Sequence, residues 1–282
     1  MHLLSGAESN HGGSFGNLLG RSPDAAPQPI FAMQSGPRNT TAPTNGLADE
    51  PIHGTTVIAV KYKDGVINVG DRRATGGMAI MYDKAEKVLP LDDFTLMAIS
   101  GSFSKAMEIT RYLRHAFRYY ERSQLQPMSL DGKLSELGKV ISGNQMAAMQ
   151  GIGLVIPILS TFDKESSEGR IFFYDGGGAR FETAEFGAAG SGSTQIRGVF
   201  EYIQRSKGPF RDMDRDTALK EALLLLEIAA DLDAATGGAG KVLPLAKTIT
   251  REGIADVEEE TLRTIVRDII KTEPLLIGPQ GY

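Results

Sequence analysis

Thr55-Thr56-Val57-Ile58-Ala59-Val60-Lys61-Tyr62 is followed at once by Lys63-Asp64-Gly65 and then by Val66-Ile67-Asn68-Val69-Gly70-Asp71. The first run is dense in β-branched residues and reads as a buried strand. Asp64-Gly65 is a hairpin signal, and the second run reads as the return strand. An antiparallel hairpin therefore opens the folded part of the chain. Downstream, the same reading places strands at Met78–Tyr82, Phe94–Ser100, Leu154–Thr161, Arg170–Tyr174 and Arg180–Phe186. A last pair runs from Ala246 to Arg251 and from Ile254 to Val257.

Helical spacing of apolar residues predicts helices over Ser102–Arg122, Asp131–Met149, Ser193–Gln204, Thr217–Leu232 and Glu258–Ile270. The second has candidate caps at Ser129 and Asp131. Paired helices thus separate groups of antiparallel strands. That order implies an α+β protein, a four-layer α-β-β-α sandwich of two antiparallel sheets, rather than a parallel βαβ sheet. The folded region spans 55–271, and 272–282 reads as a flexible C-terminal tail.

Upstream of the hairpin the character changes. Residues 1–54 hold six of the 13 prolines and no lysine, and their apolar residues keep no sustained period. Such a segment cannot bury enough surface to offset the entropy of ordering it, so it reads as disordered.

Composition removes many chemistries. The 282 residues are 41% hydrophobic and 23% charged, ordinary for a globular protein, and the net charge of −5 argues against a nucleic-acid binder. There is no cysteine, which excludes disulfides, thiolate metal sites and thiol catalysis. The histidines are His2, His11, His53 and His115, too few and too scattered for a metal site, so no metal and no cofactor are expected. No secretory signal and no run long enough to span a membrane occurs, so a cytoplasmic protein is expected.

A Ser-His-Asp triad would have to use His115, which lies mid-helix and reads as a surface or packed residue. Ser102-Phe103-Ser104-Lys105 matches S-x-x-K, but the companion SDN and KTG motifs are missing, so the match reads as chance. No P-loop is present. One further device needs neither histidine nor cysteine: a threonine hydroxyl activated by the α-amino group of the same residue. It requires a cut just before that threonine. His53-Gly54-Thr55-Thr56 fits, since a poorly structured extension ends in a permissive glycine and the next residue opens a buried strand.

Thr55 through Val60, followed by Gly70-Asp71-Arg72-Arg73-Ala74-Thr75, resembles the start of mature proteasome core-particle β-subunits. Lys87, Ser100-Gly101-Ser102, Gly190-Ser191-Gly192-Ser193 and Asp233-Ala234-Ala235-Thr236-Gly237-Gly238 continue the resemblance at the family's spacing. The GDRRAT and DAATGG forms, with Ala-Ala-Met-Gln-Gly at 147–151, are similar to the bacterial subfamily. The resemblance implies the Ntn-hydrolase fold and a threonine endopeptidase. Residues 1–54 would then be a propeptide removed autocatalytically between Gly54 and Thr55.

The same resemblance assigns roles. Thr55 matches the nucleophile, Lys87 the lysine beside its hydroxyl, and Asp71 the carboxylate paired with that lysine, with Arg73 helping to hold the pair. Gly101 matches the oxyanion-hole amide. Ser191 and Asp233 match the pair that orients the amine, and Thr236 stands where many relatives carry serine. Ala74, Ala85, Leu89, Ile99, Phe103 and Met107 match the primary side-chain pocket. All are uncharged, which implies cleavage after hydrophobic residues, and Thr75 matches a main-chain binding position. Implied partners are α-subunits, further β-subunits in seven-membered rings, an ATP-dependent unfolding ring, and protein substrates tagged with a ubiquitin-like modifier. No nucleic acid or membrane partner is implied.

Two rivals stay open at this level. A related two-ring heat-shock peptidase usually carries a GDGQ-type turn where this chain has Gly70-Asp71-Arg72-Arg73. A catalytically silent ring subunit would usually lack the threonine or the lysine.

Overall fold

The computed structural model describes residues 55–76, 79–150 and 153–270. The expectations for residues 1–54, for Met78 and for 271–282 lie outside them. The opening hairpin forms as read: β1 (Thr56–Tyr62) pairs antiparallel with β2 (Gly65–Gly70). The further strands are β3 (Ala74–Gly76), β4 (Ala79–Tyr82), β5 (Val88–Asp92), β6 (Thr95–Ala98), β7 (Ile158–Asp163), β8 (Glu168–Tyr174), β9 (Arg180–Thr183), β10 (Phe186–Gly190), β11 (Leu245–Thr250) and β12 (Gly253–Asp256). The helices are α1 (Phe103–Gln124), α2 (Leu130–Gly143), α3 (Gln145–Met149), α4 (Ser193–Lys207), α5 (Arg215–Leu232) and α6 (Glu259–Ile270).

Among the described residues these strands make two five-stranded antiparallel sheets, ordered β10-β1-β2-β11-β12 and β5-β6-β7-β8-β9, and the β3-β4 hairpin. The period of two in β1 explains the layering. Ile58, Val60 and Tyr62 face a core shared with α4, α5 and α6. Val57 and Ala59 face the other way, into an inter-sheet core with Leu96, Ala98, Ile158 and Ile171. On the far side, α1 and α2 cover the second sheet through Ile109, Leu113, Leu134 and Leu137. The result is the α-β-β-α sandwich that the element order implied.

The hairpin carries one buried polar link between the sheets. Ser160 Oγ donates to Asn68 Oδ1 at 2.8 Å. Caps also follow the sequence: Ser129 Oγ accepts from Gly132 N–H at the head of α2, and Asp214 accepts from Thr217 N–H at the head of α5.

The differences from the sequence reading have physical causes. Strand β5 went unread because it contains Pro90, which cannot donate to a ladder. The fold tolerates it because β5 is an edge strand with an irregular register after Pro90. The helix expected over Asp131–Met149 breaks at Asn144, whose side-chain amide donates to Gly153 O at 2.6 Å. The strand expected from Leu154 to Thr161 begins at Ile158.

The segment Arg180–Phe186 is not one strand. Residues 180–183 close one edge of the second sheet, and from Phe186 the chain runs along β1 in the first. Phe186 is pinned there by stacking on Phe200 of α4, with ring centroids 4.0 Å apart. This switch delivers Gly190 and Ser191 to the head of β1. No helix among the described residues is long and apolar enough to cross a membrane.

Candidate active site

Thr55 stands at the head of β1 and is only 5% exposed. Opposite it, the end of β10 turns sharply at Gly190, where φ is +105° and a Cβ would lie 1.9 Å from Thr55 O. Only glycine permits this approach. It lets the Ser191 amide donate to Thr55 O at 3.0 Å.

One polar cluster centres on Asp71, just past β2. Its Oδ1 accepts from Lys87 Nζ at 2.7 Å and from the Thr56 amide at 2.8 Å, while Oδ2 accepts from the Arg73 and Gly237 amides, each at 2.9 Å. Three backbone donors and one ammonium thus satisfy a carboxylate that water does not reach. Lys87, immediately before β5, also donates to Arg73 O. Burial pushes the Lys87 ammonium below the ordinary lysine range, and the Asp71 carboxylate pulls it back up. Arg73 thus holds the pair through its backbone. Its guanidinium does something else, donating to Ala234 O and Thr236 O at 3.0 and 3.1 Å and so fastening the loop after α5.

A second cluster forms on that loop. Asp233 caps α5, and its Oδ2 accepts from Ser191 Oγ at 2.5 Å and from Thr236 Oγ1 at 2.6 Å. Residues distant in sequence therefore meet at the ends of β1, β2, β10 and α5.

Gly101 follows β6 with φ of +89°, and a Cβ there would sit 2.2 Å from Leu154 O. It bridges Val155, yet the bonds of that bridge run from Ser102 N–H to Leu154 O and from Ile156 N–H to Ser100 O. The Gly101 amide takes no part in them and points the other way, as the non-hydrogen-bonded member of an antiparallel pair must.

The comparisons bear on what this arrangement is. The family described as "Proteasome subunit" matches residues 52–243, more than half of the chain. The chain belongs to the proteasome subunit family. A proteasome subunit beta of Rhodococcus opacus (strain B4) is 36% identical over 263 residues, covering 90% of this chain and 86% of its own. Proteasome subunit beta 1 of Rhodococcus erythropolis matches to the same extent. A proteasome subunit beta of R. erythropolis (strain PR4 / NBRC 100887) is 35% identical over 264 residues, 89% of this chain and 88% of its own.

In this proteasome-family chain the structure also places the expected pocket residues. Leu89 and Ile99 belong to the core beneath α1, and Phe103 and Met107, one helical turn apart, pack half-buried at its edge. Ala74, Thr75 and Ala85 are buried in and around the β3-β4 hairpin, with Ala85 N–H donating to Arg72 O at 2.9 Å. They are not part of that core cluster. Of the alternative nucleophile arrangements, His115 is exposed on α1, while Lys105 pairs with Glu108 at 2.9 Å and Ser102 Oγ lies 3.4 Å from Ser104 Oγ. Among the described residues no group of three or more His, Cys, Asp or Glu side chains could hold a metal ion.

Sequence reasoning passed over Thr56 and the amides of Gly192 and Gly237. Thr56 reads as an ordinary β-former, and a backbone donor leaves no mark in a sequence beyond the glycine that carries it.

Proposed function

We propose that this chain is the proteolytic β-subunit of a bacterial proteasome core particle, a threonine endopeptidase made as a precursor. The observation that carries the reading is the convergence of the Asp71–Lys87 pair and the Ser191–Asp233–Thr236 cluster on Thr55 and Thr56 at the head of β1.

Maturation comes first. Thr55 Oγ attacks the Gly54 carbonyl carbon, and acyl transfer from nitrogen to oxygen leaves an ester. That transfer breaks the Gly54–Thr55 amide and frees the Thr55 amine, and water then cleaves the ester, releasing residues 1–54 as a carboxylic acid and restoring the Thr55 hydroxyl. In turnover that amine takes the hydroxyl proton as Oγ adds to the scissile carbonyl. The Gly101 N–H faces the resulting oxyanion. The proton passes to the leaving amine, and water hydrolyses the acyl ester.

Lys87, held as a cation by Asp71, lowers the cost of the developing alkoxide. Ser191 and Asp233, with Thr236 behind them, orient the amine. Ala74, Ala85, Leu89, Ile99, Phe103 and Met107 line an uncharged pocket that favours hydrophobic side chains before the cut, and Thr75 binds substrate main chain. The half-buried Phe103 and Met107 are the part of that set a substrate can reach. The subunit works in the cytoplasm in seven-membered β rings flanked by α-subunit rings. An ATP-dependent unfolding ring feeds it substrates carrying a ubiquitin-like tag.

A peptidyl β-lactone with a hydrophobic side chain tests the nucleophile. Ring opening should leave one acyl group, located by fragmentation on the Thr55 hydroxyl. Acylation of another residue, or none in a particle that cleaves peptide, would overturn the assignment.

A further inference from the structure

A chain of hydroxyls beside Thr55 has a direction that the geometry fixes. Thr236 Oγ1 lies 2.6 Å from Asp233 Oδ2 and 2.7 Å from Thr56 Oγ1. A carboxylate has no hydrogen to give, and a hydroxyl has only one. Thr236 therefore spends its hydrogen on Asp233, and Thr56 must be the donor in the Thr56–Thr236 contact. The remaining side of Thr56 Oγ1 accepts from the Gly192 amide at 3.1 Å. The series runs from Gly192 N–H through Thr56 and Thr236 to Asp233, where Ser191 Oγ also donates.

The backbone of Thr56 is held as firmly on its other side. Its amide donates to Asp71 Oδ1 at 2.8 Å, and its carbonyl accepts from the Asp71 amide at 3.1 Å. The residue is fully buried, and a Cβ on Gly192 would come within 2.6 Å of its hydroxyl, so there is no slack around it. Thr56, the residue that follows Thr55, is thus tied to both polar clusters, to Asp71 by its backbone and to Thr236 and Gly192 by its side chain.

We infer that Thr56 is a positioning residue, whose hydroxyl locks the Ser191–Asp233–Thr236 cluster to β1 and so fixes where the Thr55 amine and hydroxyl stand. The inference rests on the proposed function, and it adds a residue to that site. Replacing the hydroxyl by a methyl group strands the Gly192 N–H and a lone pair of Thr236 in a buried place. A nucleophile set slightly out of line loses rate more than it loses binding.

The test uses the full chain assembled with its α-subunits and a fluorogenic peptide with a hydrophobic residue before the bond. Rates are divided by the fraction of chains that mass spectrometry finds beginning at residue 55. Thr56→Val should lower kcat by roughly tenfold or more and leave KM within about twofold. Thr56→Ser, which restores the hydroxyl without the methyl, should recover kcat to within roughly threefold of wild type. If Thr56→Val does not assemble, Thr56→Ala takes its place.

A wild-type kcat in the hydroxyl-free variant overturns the inference. So does a change confined to KM, or a Thr56→Ser variant as slow as Thr56→Val. Failure of both hydroxyl-free variants to assemble, when Thr56→Ser does, makes the group a folding requirement and overturns it as well. Thr55→Ala, run alongside, separates the two levels: an active Thr55→Ala particle sinks the proposed function itself.

Discussion

Thr55→Ala should yield a chain that folds and assembles, keeps its residues 1–54, and hydrolyses peptide at least ~10³-fold more slowly than wild type. Under the proposed function the loss is large because one atom, Thr55 Oγ, would do two jobs, attacking Gly54 once and then every substrate. The cost to the fold is small by comparison. The bond from Ser191 N–H to Thr55 O involves only backbone, and the β1–β10 ladder starts at Thr56. Trimming one buried hydroxyl and methyl costs about 1–2 kcal/mol. Intact mass and a peptide assay on the same preparation read both effects. Near-wild-type turnover would reject the nucleophile, and a normally trimmed N-terminus would reject self-cleavage.

Lys87→Ala should lower kcat/KM by more than ~10²-fold in particles that still assemble. Removing one partner of a buried ion pair costs up to ~3–5 kcal/mol when the other charge is left bare. Asp71 is not left bare here, since the amides of Thr56, Arg73 and Gly237 remain on its oxygens. The fold therefore survives more readily than the chemistry.

The pH dependence of wild type gives a second reading of the same residue. Burial lowers the lysine's pKa, and under the proposed function the group acts as a cation, charged below that value and neutral above it. The alkaline limb of kcat/KM should thus lie below the ordinary lysine range, with activity falling as pH rises. A variant with normal rates, or a wild-type profile that rises through that region, would make Lys87 structural.

The opening hairpin was legible because its two runs are dense in β-branched residues around Asp64-Gly65, and both of its faces are buried. Pro90 concealed β5 because whether a strand is an edge or a centre depends on its neighbours in space. The sheet switch between Thr183 and Phe186 was invisible for a similar reason: no glycine or proline marks a break in residues 180–186, and the change of partner strand is a matter of neighbours in space.

At the site, the charged and hydroxyl side chains were marked in the sequence, and the resemblance gave them roles. In the structure Asp71 meets Lys87, and Asp233 meets Ser191 and Thr236. Arg73 touches both members of the pair through its backbone, its amide on Asp71 and its carbonyl on Lys87. Thr56 was hidden in plain view, since a threonine in a strand needs no further reason to be there.

The most direct measurement is the N-terminal residue of the wild-type chain in a particle that is hydrolysing peptide, read by intact mass and confirmed by stepwise degradation. A free Thr55, with a mass matching residues 55–282, is the predicted result. A competent particle whose chain begins at any other residue, or retains residues 1–54, contradicts the central claim.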